Sequence, residues 1–324
     1  MKKNIAVIAG GDSGEFEISV NSATVVEKHL DSEKYNVYKI SIKGQQWNYL
    51  DVDGKVYAID KADFSLQIKE KRIKFDLAFN MIHGTPGENG KIQAYFDLIG
   101  LPYTGCGLSC SSLTFNKSYC NKVVNSYGIH TANSVHLFKT QIYSVEEVQD
   151  LLKFPVFVKP NNGGSSVGMS LVTKLSDLKK AIDIAFNEDD EVLIEEFIGG
   201  REISCGVFLY RNKLLVFPLT EIISKKDFFD YEAKYTKGMA EEITPAVLTE
   251  AIEIETKAIS AELYRRLNCK GIVRFDYIIN AEAVFFLEVN TVPGMSEASI
   301  IPQQAQEMGI PISKLFEMMI EDAL

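Results

Sequence analysis

The sequence predicts an α/β chain, with an N-terminal parallel α/β domain followed by a more strand-rich remainder of α+β character. Three observations carry this. Strand, glycine-rich loop and helix alternate through the first hundred residues, the pattern of a parallel sheet. A buried strand ends in Lys159 and runs directly into a Gly/Ser-rich loop, NNGGSSVG. Near the C-terminus, residues 271–294 (GIVRFDYIINAEAVFFLEVNTVPG) read as two strands joined by a tight connection.

In chain order, residues 4–9 form a buried first strand. GGDSGEFEIS then gives a glycine-rich turn, with Ser13 as the candidate cap of a helix over 18–30. Residues 35–42 and 75–80 are the next strands. HGTPGENG (83–90) follows as a loop and leads into a helix over 91–98. In such sheets ligands meet the loops after the strands' C-terminal ends, where Glu15 and the 83–90 loop both fall. Residues 116–127 look helical and 156–159 form a short strand. Residues 169–173 return, 175–186 are helical and 191–196 are extended. From Arg201 strands dominate, over 202–210 and then 214–221. The stretch 224–246 is long, polar and broken, which marks a functional or mobile loop. Residues 251–267 form an amphipathic helix with Ile252, Ile259, Leu263 and Leu267 near one face. Units at 1–115, 116–198 and 199–324 are expected, since 324 residues exceed one small core.

Apolar residues make up 46% of the chain and charged residues 24%, the composition of a soluble globular protein. A formal net charge of -10 argues against a general nucleic-acid binder, which needs clustered Lys and Arg. No apolar run of about 18 residues exists, so no membrane span is expected. The apolar run in MKKNIAVIAGG is too short for a signal peptide. The five cysteines contain no C-x-x-C pair, so free thiols in a reducing cytosol are expected and zinc is not.

The chemistry concentrates in four stretches. Side chains alternate along strands, so Arg274 and Asp276 share one face of the first strand of 271–294, and Glu288 and Asn290 share one face of the second. A turn centred near Glu282 sets Asp276 opposite Glu288 and Arg274 opposite Asn290. Adjacent carboxylates repel unless a cation sits between them. A hard divalent cation with oxygen ligands, Mg²⁺ above all, answers that. The bland alternative, an exposed hairpin face, fits poorly with the flanking Phe275, Tyr277, Phe285, Phe286 and Val289. Lys159 and the 161–168 loop suit phosphate: backbone N–H groups close over the oxygens and the lysine adds a point charge. The lysine precedes the glycines, so this is not a Walker A motif, and no G-x-G-x-x-G follows the first strand. In IEEFIGGRE, backbone groups around Glu196 and Ile198, the Phe197 ring and Glu202 suit a purine and ribose; a plain domain linker is the alternative. DYEAKY (230–235), inside the long polar loop, places Lys234 to reach phosphate and Tyr235 to reach substrate when the loop closes.

Taken together and in order, GGDSGEFEIS, HGTPGENGKIQA, KPNNGGSSVGMS, IEEFIGGREI, DYEAKY and R-F-D with LEVNTVPGMSEASI resemble the D-alanine–D-alanine ligase family of the ATP-grasp superfamily, over the whole chain. The resemblance implies a two-lobed ATP-grasp fold after the N-terminal domain. It implies ATP-dependent ligation of two D-alanines through a D-alanyl phosphate, for peptidoglycan precursors, in a cytoplasmic homodimer. Asp276, Glu288 and Asn290 resemble the ligands of two Mg²⁺ ions, with Mn²⁺ as a substitute. Lys117, Lys159 and Lys234 resemble phosphate-binding lysines, with Ser166 in the loop beside them. Glu195, Glu196, Phe197, Ile198 and Glu202 resemble the adenosine pocket. Glu15 would hold the first D-alanine's ammonium with Ser165 and Tyr235. Arg274 and the Gly294 backbone would stabilise the tetrahedral intermediate. Ser299 and Ile300 would meet the second carboxylate, with His83 at the edge. Asn89, Ala94, Phe197 and Phe275 depart from the family's usual residues, and Phe275 is expected to point away from the ligands. The rivals are a D-alanine–D-lactate ligase, another ATP-grasp carboxylate–amine ligase, and a nucleotide-binding protein without catalysis.

Overall fold

The computed structural model of the chain describes residues 2–164, 167–224 and 240–324. Three sheets organise these residues. The first is built on β1 (Lys3–Gly10), β2 (Tyr35–Lys43) and β7 (Leu77–Asn80), with β1 parallel to both neighbours. Residues 5–9 are buried without alternation, as a central parallel strand covered on both faces requires. Between β2 and β7 the chain adds four short antiparallel strands, β3 (Gln46–Leu50), β4 (Val56–Asp60), β5 (Ser65–Ile68) and β6 (Lys71–Ile73), giving the order β6-β5-β4-β3-β2-β1-β7. Helix α1 (Phe16–His29) follows β1. Ser13 does not cap it: Glu15 holds the cap position, and the Ser13 hydroxyl donates to the His83 carbonyl at 2.9 Å. This serine therefore ties the first turn to the loop after β7.

Helices α2 (Lys91–Ile99), α3 (Leu108–Phe115) and α4 (Lys117–Ser126) lead out of this region. Asn116 caps α4 by accepting from the Tyr119 N–H at 3.0 Å. After β8 (His130–Thr131), the second sheet holds β9 (Ser134–Phe138), β10 (Val156–Pro160), β11 (Ser170–Val172) and β12 (Glu191–Glu196), ordered β11-β10-β12-β9. Helices α5 (Val145–Leu151) and α6 (Leu175–Glu188) accompany it, and Leu178 and Ile182 of α6 share a core with Val156, Val158, Val192 and Ile194.

The third sheet runs β16-β15-β13-β17-β18-β8, with β13 (Arg201–Tyr210), β15 (Thr220–Ser224), β16 (Ala240–Ile243), β17 (Ile272–Ile279) and β18 (Val284–Asn290). The expected single strand over 214–221 is two strands. β14 (Lys213–Val216) forms a hairpin with β13, and β15 pairs further along it. Pro218 lies in the break, where a residue without an N–H cannot carry the ladder. Helix α7 (Glu250–Arg266) buries Leu263 in the core under this sheet, with Ile252 and Ile259 against it. Helices α8 (Ile300–Glu307) and α9 (Ile312–Ala323) end the chain. α9 returns to the first sheet, where Phe316 meets Phe79 with ring centroids 5.9 Å apart. Among the described residues no helix is long and apolar enough to cross a membrane.

The hairpin β17–β18 has the expected register: Asp276 faces Glu288 and Arg274 faces Asn290. A bulge between Asp276 and Tyr277 makes it so. Beyond the bulge Tyr277 pairs with Phe286, so Leu287 is the extra residue on β18. An uninterrupted ladder would put Phe286, Glu288 and Asn290 on one face. The bulge switches the parity, which lets Phe286 and Val289 stay buried while Glu288 and Asn290 line a cleft. Phe275 is fully buried in the core, pointing away from that cleft.

Candidate active site

A cavity of about 1720 Å³ lies where the three sheets converge. It is lined by Glu15, His83, Lys117, Lys159, Glu202 and Arg274. Glu195, Glu196, Phe197 and Ile198 lie along it too, as do Asp276, Glu288, Asn290, Gly294, Ser299 and Ile300. Ser165, Ser166, Lys234 and Tyr235 fall outside the described residues.

The floor of the cleft is the β17–β18 hairpin. Arg274 grips Asp276 with two bonds, Nε to Oδ1 at 2.9 Å and Nη2 to Oδ2 at 2.8 Å. The Ser204 hydroxyl, opposite Asp276 on β13, adds a bond to Oδ1 at 2.6 Å. Asn290 Nδ2 donates to Oδ2 at 2.9 Å. Asp276 is almost wholly buried, and four donors hold its charge there. Burial opposes the Arg274 charge, but Asp276, together with Glu288 and Glu202, more than offsets it and raises the guanidinium pKa. Because Asn290 turns its amide N–H₂ to Asp276, its carbonyl oxygen remains for another partner. Two carboxylates and this amide oxygen are hard donors of the type Mg²⁺ takes, so the residues fit such an ion.

Two lysines overhang this floor. Lys117, at the first position of α4, reaches the Glu288 carboxylate at 3.2 Å and donates to the Gly163 carbonyl at 2.7 Å. Burial works against its charge, yet Glu288 raises its pKa above the usual value. Lys159, on β10, pairs with Glu195 on the neighbouring strand β12. Asn121 Nδ2 donates to the other oxygen of Glu195 at 2.8 Å. The Glu195 carboxylate is thus turned to Lys159 and Asn121, and the geometry gives it an indirect part as the residue that aims the lysine. Glu196 is also occupied: its carboxylate accepts from the Lys153 N–H at 3.1 Å and from Asn133 Nδ2 at 2.9 Å. Phe197 is 38% exposed with its ring 5.7 Å from that of Phe157, leaving an aromatic face on the cavity.

The far wall comes from loops distant in sequence. Gly164, on the loop after β10, meets Glu15: a Cβ built there would lie 2.8 Å from the Glu15 carboxylate. A larger residue there would push the Glu15 carboxylate aside. His83 Nδ1 lies 2.8 Å from the Val292 carbonyl, which can only accept, so Nδ1 carries the proton. Nε2 then accepts from the Ser22 hydroxyl at 3.3 Å. Burial lowers the His83 pKa, which keeps the ring neutral. Glu88 was not singled out by the sequence reading, yet it bridges the same two segments. Its carboxylate accepts from the Gly84 N–H at 2.7 Å and from the Val292 N–H at 3.1 Å. Burial pushes its pKa up to about 7, and the Glu15 charge adds to this. The Ser299 hydroxyl lies 2.8 Å from that of Ser296, at the start of α8, and lines the cleft beside Gly294. Nothing in the spacing of Ser22, Glu88 or Ser204 pointed to these contacts, because His83, Val292 and Asp276 lie on distant strands or loops.

Fold and cleft together define an ATP-grasp ligase: two lobes with a lysine-lined crevice between them and an acidic hairpin beneath. The D-ala D-ala ligase family matches in two parts, its N-terminus over residues 4–106 and its C-terminus over residues 123–321. The chain belongs to this family. It is 46% identical to a D-alanine–D-alanine ligase of Parabacteroides distasonis over 100% of this chain and 98% of that protein. It is 45% identical to one from Christiangramia forsetii, over 100% of this chain and 99% of that protein. Among solved structures, D-alanyl-alanine synthetase A from Vibrio cholerae is 27% identical with a TM-score of 0.90, over 99% of this chain and 98% of that one. A D-Ala:D-Ser ligase from Enterococcus faecalis is 30% identical with a TM-score of 0.89, over 100% of both chains. A Bacillus anthracis D-alanine–D-alanine ligase complexed with ATP is 28% identical with a TM-score of 0.80, over 99% of this chain and 97% of that one.

Proposed function

We propose that this chain joins two D-alanines to D-alanyl-D-alanine for peptidoglycan precursors, with ATP cleaved to ADP and phosphate. The observation that carries the reading is full-length kinship to D-alanine–D-alanine ligases together with one cleft that holds phosphate-type, metal-type and amino-acid-type groups side by side. Carboxylate and amine do not condense in water, because the oxygen to be lost is a poor leaving group. Phosphorylation solves this. An oxygen of the first D-alanine's carboxylate attacks the γ-phosphorus and displaces ADP. The second D-alanine's amine then attacks the acyl carbon, its proton is lost, and phosphate departs with the carboxylate oxygen.

The residues divide this work by position. Lys117 and Lys159 meet the phosphates, with Glu195 aiming Lys159; charge spread over fixed cations is what such a transfer needs. The adenine and ribose rest between Phe197, Ile198, the backbone at Glu196, and Glu202. Glu15 holds the first ammonium. Arg274, fixed by Asp276, and the Gly294 N–H face the developing oxyanion. Ser299 and the backbone at Ile300, at the start of α8, meet the second carboxylate. Asp276, Glu288 and Asn290 would hold Mg²⁺, which would supply positive charge to offset that of the phosphates. Ser165, Ser166, Lys234 and Tyr235 complete the proposal as groups that would exclude water from the acyl phosphate.

Units at 1–115, 116–198 and 199–324 are part of the same reading; the three sheets support them, although residues 106–129 also pack under the third sheet. A cytoplasmic location is supported by five buried, unbridged cysteines. A homodimer rests on the family resemblance and is checked by mass in solution. The function is tested by phosphate release from ATP with D-alanine, L-alanine and D-lactate offered singly and in pairs, with the product weighed. D-alanine alone should release phosphate and yield the dipeptide. Release that requires D-lactate, with an ester as product, would replace this reading with the depsipeptide one.

A further inference from the structure

Three of the five cysteines meet at a single buried point. The Sγ atoms of Cys106, Cys110 and Cys269 all lie within 4.8 Å of one another, and Cys110 and Cys269 are 3.7 Å apart. Cys106 stands in the loop before α3, Cys110 in the first turn of α3, and Cys269 between α7 and β17. The Lys270 N–H donates to the Cys106 sulfur at 3.4 Å. The backbone is drawn in tightly here: a Cβ on Gly271 would lie 2.8 Å from Gly105 Cα, so no larger residue fits between the two strands of chain.

We propose that Cys106, Cys110 and Cys269 form a three-sulfur site for a thiophilic d10 metal cation, separate from the cleft. Thiolates about 2.3 Å from one such cation sit roughly 4 Å apart, which matches the observed spacing. Sulfur-only donors select soft cations and reject Mg²⁺ and Ca²⁺, which take oxygen. No fourth Cys, His, Asp or Glu joins the group among the described residues, so three-coordination with a soft ion fits better than a closed four-ligand zinc site. Loading replaces the protons on the sulfurs with three metal–sulfur bonds, and the protons pass to solvent. The absence of a C-x-x-C pair hid this site, since Cys269 is supplied by the fold. The bound ion staples the start of α3 to the segment that leads into β17, which carries Arg274 and Asp276.

The test uses the full chain, kept reduced with a phosphine, and Cd²⁺ as the probe. One equivalent should bind with a thiolate-to-cadmium charge-transfer band and raise the melting temperature. Cys110→Ser and Cys269→Ser should each lose the band and weaken binding by at least the ~10–100-fold that follows loss of even an outer-shell partner. Cys120→Ser and Cys205→Ser should keep both. If the serine variants fail to fold, the cadmium NMR shift of the unaltered chain decides: a sulfur-rich shift supports the site. Absence of the band, its survival in Cys110→Ser, or a shift showing only oxygen ligands would overturn it.

Discussion

The cleft has two walls built in opposite ways. On the hairpin side, Arg274, Asp276, Glu288 and Asn290 lie within seventeen positions of one another and are aligned by a single ladder. On the amino-acid side, His83 and Glu88 reach Val292 across more than two hundred residues of sequence. The hairpin is preorganised by backbone pairing, whereas the other wall exists only when the first sheet, α1 and the segment after β18 are already docked. Damage to the hairpin should therefore strike the chemistry while sparing the fold. Damage to the loop wall should change substrate binding and stability together.

The largest effect is expected from Glu288→Gln. It keeps shape and register but removes one charge from the acidic pair, so kcat should fall by about a thousandfold or more, the upper scale for one electrostatic contact in a transition state. An unchanged melting temperature should accompany it; near-normal turnover would separate Glu288 from the chemistry. Arg274→Lys comes next. A lysine cannot make the two-bond grip on Asp276, so kcat should drop about a hundredfold. Urea melts should show a loss of only about 1 kcal/mol, since lysine keeps one charged bond to the carboxylate and Ser204 and Asn290 keep theirs.

Smaller still is Lys159→Met, which should raise the KM for ATP by about tenfold and leave that for D-alanine nearly unchanged. The loop wall offers the reverse. Glu88→Gln should raise the KM for D-alanine several-fold with little change for ATP. The same variant tests pH. The Glu88 pKa is raised on folding, to about 7, so between its unfolded value near 4.5 and pH 7 the folded chain holds a proton the unfolded chain has lost. Stability from this group is therefore complete below pH 4.5 and declines as pH rises to 7, by about 3 kcal/mol. Melting temperatures across that window should fall more steeply in the natural chain than in the variant. Ser22→Ala, which removes one bond to a neutral His83, should cost about 1 kcal/mol or less.

The same contrast explains what was legible in the chain. Period-two alternation and one guessed turn were enough to set Asp276 opposite Glu288. They did not reveal the bulge at Leu287 that reconciles this with buried Phe286, since a bulge leaves no mark in residue type here. The family's motifs led to Lys117, Lys159 and the residues at 195–198. They did not show that Glu195 is turned toward Lys159, which depends on the pairing of β10 with β12. The strands β3 to β6 went unread because they are short, three to five residues each, and too brief to show the alternation that marks a strand. Ser22, Glu88 and Ser204 are ordinary residues in the sequence and acquire a role only through partners on other elements.

The central claim is that the cleft activates a D-alanine carboxylate on phosphorus before the peptide bond forms. Turnover of D-alanine labelled with heavy oxygen in its carboxylate tests this most directly. The account predicts that each phosphate released carries one labelled oxygen, transferred when the acyl–oxygen bond breaks. Unlabelled phosphate, formed alongside dipeptide, would contradict it.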